Sequence, residues 1–153
     1  MAKKVPKRSP EEVARGMKKG FRSGLEEEIG KQLDMEKIDY EYEPFRLPYI
    51  QPAQQHTYTI DFVLPNGILI ESKGQFTTAD RKKHLLIKEQ HPELDLRFVF
   101  SNPHNKINKR SKTTYAAWCA KHGFPYAEKF IPNEWLREPV NQASLDKIQQ
   151  LRK

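Results

Sequence analysis

The sequence predicts a mixed α/β fold, a mixed β-sheet flanked by helices, and three observations carry that expectation. Apolar residues alternate at strand spacing over 57–64, and a return strand over 68–73 follows a Pro65-Asn66-Gly67 turn. Apolar residues recur at helical spacing after Ser23, and a cap at Thr77 or Thr78 opens a second helix that runs to about Gln90. The segments follow one another as helix, strand, strand, strand, helix, strand, helix, an order that places a sheet between helices.

Residues 1–20 are rich in Lys and Arg, broken by Gly and Pro, and poor in apolar side chains. They read as a flexible basic arm, either solvated or laid along phosphates. Ser23-Gly24-Leu25-Glu26 sets a capping residue three before a Glu, a helix start. Leu25, Ile29 and Leu33 follow at helical spacing, and the helix is expected to end near Asp34 to Lys37. Ile38-Asp39-Tyr40-Glu41-Tyr42-Glu43 alternates as a strand. Leu47-Pro48-Tyr49-Ile50-Gln51-Pro52-Ala53 breaks the pattern, because two prolines four apart stiffen an extended segment and forbid a helix. It reads as a bridge over 48–53 between a helix–strand unit, 21–47, and the remainder, 54–138.

Over 57–64, Tyr58, Ile60, Phe62 and Leu64 are expected on one face, and Thr57, Thr59, Asp61 and Val63 on the other. The return strand 68–73 puts Leu69, Glu71 and Lys73 together. Thr77 or Thr78 caps a helix that runs to about Gln90 and is stopped by His91-Pro92. A strand over 96–101, a basic loop over 102–112 and a helix from Thr113 to Lys121, stopped at Gly123, complete the body. Residues 131–137 suit a short helix. The C-terminal tail, 139–153, has helical character from Asn141.

The 153 residues suit one domain, and hydrophobic residues make up only 37%. The core is therefore compact, and part of the chain is expected to bury itself against a partner. Lys+Arg number 27 against Asp+Glu 20, a net charge of +7, and the pI is near 9.4. That balance favours a polyanion, with nucleic acid the first choice. No apolar run is long enough to cross a bilayer, and Met1-Ala2-Lys3-Lys4 lacks the core of a signal peptide. The one cysteine, Cys119, excludes an intrachain disulfide. Cys119 and His122 lack a second ligand pair for zinc. Trp118 and Trp135 read as core rather than as base-stacking platforms.

Asp61, Glu71 and Lys73 form Asp-x9-Glu-x-Lys. Residues two apart on a strand point the same way, so Glu71 and Lys73 share a face. A three-residue turn, Pro65-Asn66-Gly67, sets Asp61 directly opposite Glu71, whereas a two-residue turn would oppose it to Ser72. An odd loop is thus what the chemistry requires. Two adjacent carboxylates repel and call for a cation. A hard divalent ion with oxygen ligands fits, magnesium foremost, with manganese as a substitute. Such an ion serves phosphodiester hydrolysis, and Lys73 beside it can hold the attacking water or neutralise charge on phosphorus. Glu26, on the first helix, is the candidate that completes a site for two ions. The plainer alternative is a surface hairpin with one ion pair on a non-catalytic basic DNA-binding protein. Arg81, Lys82, Lys83 and His56 are candidate DNA contacts. Each has an ordinary reading too, as a solvated helix face or a structural histidine.

Phe21-Arg22-Ser23-Gly24-Leu25-Glu26, the Pro48-x3-Pro52 bridge, His56-Thr57-Tyr58-Thr59-x-Asp61-Phe62, Leu64-Pro65-Asn66-Gly67-Ile68 and Glu71-x-Lys73-Gly74 together resemble the phage endonuclease I family of Holliday-junction-resolving nucleases. Asp80-Arg81-Lys82-Lys83-His84, Lys121-His122-Gly123 and Ile131-Pro132-x-Glu134-Trp135 continue the likeness over about 21–138. The resemblance implies a restriction-endonuclease-like core and an intertwined, domain-swapped homodimer whose chains cross at the proline bridge. It implies metal-dependent resolution of four-way and other branched DNA by paired nicks, in the cytoplasm of an infected bacterial host. By position, Asp61 and Glu71 become metal ligands, Ser72 a ligand through its backbone carbonyl, Lys73 the catalytic lysine, and Glu26 the carboxylate given by the partner chain. Ile60 stands where the family commonly has proline. The ends, 1–20 and beyond 138, match poorly.

Overall fold

A computed structural model of the single chain describes residues 20–51 and 54–152. The basic arm therefore lies outside the described residues, apart from Gly20, and so do positions 52 and 53 of the bridge. The elements are α1 (Gly24–Met35), β1 (Glu41–Tyr42), β2 (Arg46–Gln51), β3 (Gln54–Thr59), β4 (Phe62–Val63), β5 (Ile68–Lys73), α2 (Thr78–Gln90), β6 (Asp95–Phe100), α3 (Tyr115–His122), β7 (Tyr126–Glu128), α4 (Asn133–Leu136) and α5 (Gln142–Leu151). Five strands form a mixed sheet in the order β1-β4-β5-β6-β7, antiparallel up to β5 and parallel beyond it. Strands β2 and β3 form a separate antiparallel ribbon.

Helix starts follow the capping chemistry of the sequence. Ser23 Oγ accepts from Glu26 N–H at 3.1 Å. Thr77 and Asp80 exchange two bonds in a capping box that opens α2. Each face of the sheet has its own apolar layer. Leu69, Leu96, Phe98 and Phe100 meet Ile87 of α2, Trp118 and Cys119 of α3 and Ile148 of α5. Ile68, Ile70, Val99 and Phe62 meet Ile29 and Leu33 of α1 on the other side. Each such side chain, fully buried, stabilises the fold by roughly 1.5–3 kcal/mol. Trp118 is core, and Trp135 packs on the second layer with its ring under Arg97. Cys119 is buried, which pushes its thiol up to about 12.

The turn before β5 has the odd length that a shared site requires. Phe62 stands opposite Ile70 and Val63 opposite Leu69. Leu64 N–H donates to Ile68 O at 2.9 Å, leaving Pro65-Asn66-Gly67 as the loop. Gly67 has φ +92°, and a Cβ there would lie 2.8 Å from Asn141 O. The C-terminal segment packs onto this turn: Ser144 Oγ donates to Gly67 O at 2.6 Å and Asn141 N–H to Asn66 O at 2.8 Å.

Three strand expectations need correction. The segment 57–64 is not one strand. It leaves the ribbon after Thr59 and enters the main sheet at Phe62. Across that break the even positions change sides: Tyr58 and Ile60 join the first apolar layer, Phe62 the second. A kink at Asp61 reverses the pleat. The bridge, expected as a stiffened extended segment between two units, pairs as strand up to Gln51. Pro48 fits within it because a two-stranded ribbon consists of edges, where a missing N–H is tolerated. The strand expected over 38–43 pairs only at Glu41–Tyr42, and Glu43, at φ 48°, turns the chain away. Strand β7 was not expected at all. In this chain the ribbon docks on its own α2, where Gln90 exchanges bonds of 2.8 and 2.6 Å with the Ile50 backbone.

Candidate active site

Strands β5 and β6 run parallel, and their carboxyl ends open onto a cleft of about 380 Å³. This is where open α/β sheets place ligands, because the loops diverge there. The cleft is lined by Arg22, Glu26, Tyr58, Asp61, Ser72, Lys73, Gly74 and Ser101, among others. Glu71 lies beneath its floor, fully buried.

Each side chain is delivered by a different element. Asp61 sits at the kink before β4, and its Oδ2 accepts from both Ser72 N–H and Ser72 Oγ at 2.9 Å. Glu71, on β5, accepts from Asp61 N–H at 2.9 Å and from the Tyr58 hydroxyl. Lys73 Nζ lies 3.2 Å from Tyr58 Oη, 3.8 Å from Glu71 Oε2 and 3.6 Å from Asp80 Oδ1. Glu26, in the first turn of α1, accepts from Arg22 N–H at 3.1 Å and from the Tyr42 hydroxyl. The four residues singled out in the sequence thus converge.

Their electrostatics are unbalanced. Glu26, Asp61 and Glu71 are 7%, 5% and 0% exposed. Burial pushes the Asp61 carboxyl up to about 7, helped by the Glu26 charge and opposed by bonds from Ser72. Burial also pushes Glu71 up to about 7, opposed chiefly by Lys73. A cation joining them favours their ionised form. Glu26, Glu43 and Asp61 each offer a carboxylate oxygen, all within 4.8 Å of one another, and this acidic cluster could hold a metal ion. No other group of three such ligands occurs among the described residues. The set is all oxygen, which suits a hard divalent cation. Glu71 lies outside this closest trio, and Ser72 meets Asp61 through its N–H and hydroxyl.

The carboxyl ends of a parallel strand pair, a nest of buried carboxylates and a lysine at its lip are now in place. A model of the family described as phage endonuclease I matches residues 9–153. The chain belongs to the phage endonuclease I family. Among its relatives, Endonuclease I of Escherichia phage T7 is 52% identical over 137 residues, covering 88% of this chain and 92% of the relative. Endodeoxyribonuclease 1 of Enterobacteria phage T3 is 52% identical over 130 residues, covering 85% and 86%. The family match extends past the span that the motifs alone carried, and α5 explains the C-terminal part, since Ile148 is core.

The candidate DNA contacts are scattered. Arg81 is buried, its guanidinium donating to Phe76 O at 2.6 Å and Thr78 Oγ1 at 3.0 Å. It faces the fold and not solvent, because α2 turns that side toward the 102–112 loop. Lys82 is exposed. Lys83 is half-buried, 3.4 Å from Asp80, with its Nζ over the Tyr58 ring. His56 stacks on Tyr49 in the ribbon, away from the cleft lining.

Three residues of the site escaped the sequence reading. Glu43 looked like one more polar strand position, and nothing in a Glu announces a left-handed turn. Tyr58 looked like core by alternation. Asp80 was one polar residue in the first turn of a helix whose cap was read at Thr77 or Thr78, and it completes that capping box. The available signal was chain proximity: Tyr58 stands three before Asp61, and Asp80 seven after Lys73.

Proposed function

We propose that this chain is a structure-selective DNA endonuclease that resolves four-way and other branched junctions by metal-dependent phosphodiester hydrolysis. The observation that carries it is the convergence of Glu26, Asp61, Glu71 and Lys73 on one cleft, with carboxylates in excess over cations. The names of its relatives, an endonuclease and an endodeoxyribonuclease, support DNA as substrate. The net charge of +7 supports a polyanionic partner.

Asp61 and Glu71, with Glu26 and the Ser72 backbone carbonyl, are the proposed ligands for magnesium, or manganese in its place, with two ions per site. Glu43 joins them on geometric grounds. Ions held by these residues would supply Lewis-acid chemistry to the phosphodiester, an activated water and charge for the leaving oxygen. Lys73 reaches the cleft from the end of β5, where its ammonium can orient a water or offset charge on phosphorus. Arg22 and Tyr42 hold Glu26 in place, and Ser72 fixes Asp61. Lys82, Lys83 and His56 remain proposed phosphate contacts. Arg81 does not, because its donors are directed into the fold.

We further propose a homodimer intertwined at 48–53 on a restriction-endonuclease-like core, which works in the host cytoplasm. No helix among the described residues is long and apolar enough to cross a membrane. The unit 21–47 meets the main sheet through the short β1–β4 pairing and the packing of α1, and the same contacts can form with a second chain if the ribbon opens. Each site would then combine Glu26 of one chain with Asp61, Glu71 and Lys73 of the other, and two sites would give paired nicks.

The test is cleavage of a fixed four-way junction and of a linear duplex with the same arms, in magnesium, calcium and chelator. Wild type is expected to cut the junction near its branch point in magnesium alone, and Glu71→Ala to bind without cutting. Wild-type cutting by Glu71→Ala, or equal cutting of the linear duplex, would overturn the reading.

A further inference from the structure

We propose that Tyr58 is a positioning residue whose hydroxyl holds Lys73 and Glu71 together for the cut. This rests on the nuclease reading above. A phenol has one proton to give. Tyr58 donates to Glu71 Oε2, so its lone pairs are left to receive the Lys73 ammonium at 3.2 Å. Among the described residues this is the only hydrogen bond of Lys73 Nζ. Glu71 and Asp80 are ion-pair neighbours at 3.8 and 3.6 Å, beyond hydrogen-bond reach. A lysine is a point charge on four rotatable carbons, so a single directional contact decides where that charge rests.

The ring is itself braced. Lys83 Nζ stands over its face at 4.1 Å, and His84 meets it edge-on at 5.1 Å. His84 is fully buried, and both of its ring nitrogens lack partners among the described residues. Burial and the nearby Lys73 and Lys83 depress its pKa, which keeps it an uncharged wall behind the tyrosine. Tyr58 is the penultimate residue of β3, and it lines the cleft together with Thr59 and Asp61. Phenylalanine would fill the same space, so the hydroxyl serves the site and not the packing.

The experiment uses the full chain and a four-way DNA junction. Single-turnover cleavage in magnesium, junction Kd in calcium and melting temperature are measured for wild type, Tyr58→Phe, Lys73→Met, the double variant and Glu71→Ala. Tyr58→Phe is expected to slow cleavage by about tenfold to a hundredfold, the scale of a misplaced catalytic group. Its Kd should match wild type, and its melting temperature should fall by no more than one lost hydrogen bond allows, leaving the chain fully folded at the assay temperature. Adding Tyr58→Phe to Lys73→Met should cost much less than it does alone, because the hydroxyl acts through that lysine. A wild-type rate for Tyr58→Phe beside an inactive Glu71→Ala overturns this proposal and leaves the site reading intact. A rate loss matched by lost affinity or by unfolding at the assay temperature, or fully additive with Lys73→Met, also overturns it. An active Glu71→Ala overturns the site reading itself.

Discussion

At Glu71, burial and charge oppose one another, and pH reveals the balance. Its carboxyl is raised to about 7 from an ordinary 4.5, and Asp61 is raised similarly. The folded chain therefore holds more protons than the unfolded chain between those values. The stability these groups contribute is full below about pH 4. It is lost as pH rises through about 7. In chelator, Glu71→Gln should melt higher than wild type at pH 8, by a gain on the order of 2 kcal/mol. That is worth roughly 2–4 °C per kcal/mol in a chain of this length. At pH 4 the two should melt together. Thermal denaturation checks it, and a Gln variant that melts lower at pH 8 would contradict the desolvation argument. Arg81 illustrates the opposite error of inference, a cation that sequence places on a surface and the fold takes inside. Arg81→Ala leaves Phe76 O and Thr78 Oγ1 without their donor. We expect a loss of about 1–3 kcal/mol of stability. The salt slope of DNA binding should stay unchanged, whereas a slope reduced by about one would mark a phosphate contact after all.

Among the elements, legibility followed local chemistry. The caps at Ser23 and Thr77, the turn at Pro65-Asn66-Gly67 and the helix stop at Gly123 are written in residues with specific backbone roles, and each forms where expected. The break between β3 and β4 is not written so, because a period of two records which residues share a face and not which sheet they join. The alternation runs unbroken from Tyr58 to Leu64 while the chain changes layers beneath it. Residues of the candidate site were readable where they belonged to the motif, as in Glu-x-Lys on one strand face. Glu43 was not, since only the fold brings it to Asp61. The three-residue turn is the element on which the motif depends. Gly67→Ala forces an L residue to φ +92° and presses a Cβ against Asn141 O. We expect about 1–3 kcal/mol of destabilisation. Equilibrium unfolding in urea measures it, and a loss below about 0.5 kcal/mol would mean the turn and α5 relax freely.

For the molecule as a whole, the proposed dimer turns on which chain supplies Glu26. In the single chain Glu26 and Asp61 meet because the β2–β3 ribbon folds back on itself. In an intertwined dimer the same contacts would form between chains, with no change at either surface. Activity reassortment separates the two arrangements. Glu26→Ala and Asp61→Ala chains are each expected to be inactive. If sites are composite, a mixed dimer has one site that lacks both groups and one that is whole. Unfolding the two together and refolding at equal amounts should then restore about a quarter of wild-type sites, from two-fold statistics. Because an active mixed dimer holds a single working site, it should nick a junction-bearing supercoiled plasmid without linearising it, while wild type makes both cuts. If each chain closes its own site, every site in the mixture lacks one carboxylate and no activity returns. The product itself, open circle against linear, therefore reports whether one site or two worked, independently of how much protein refolded.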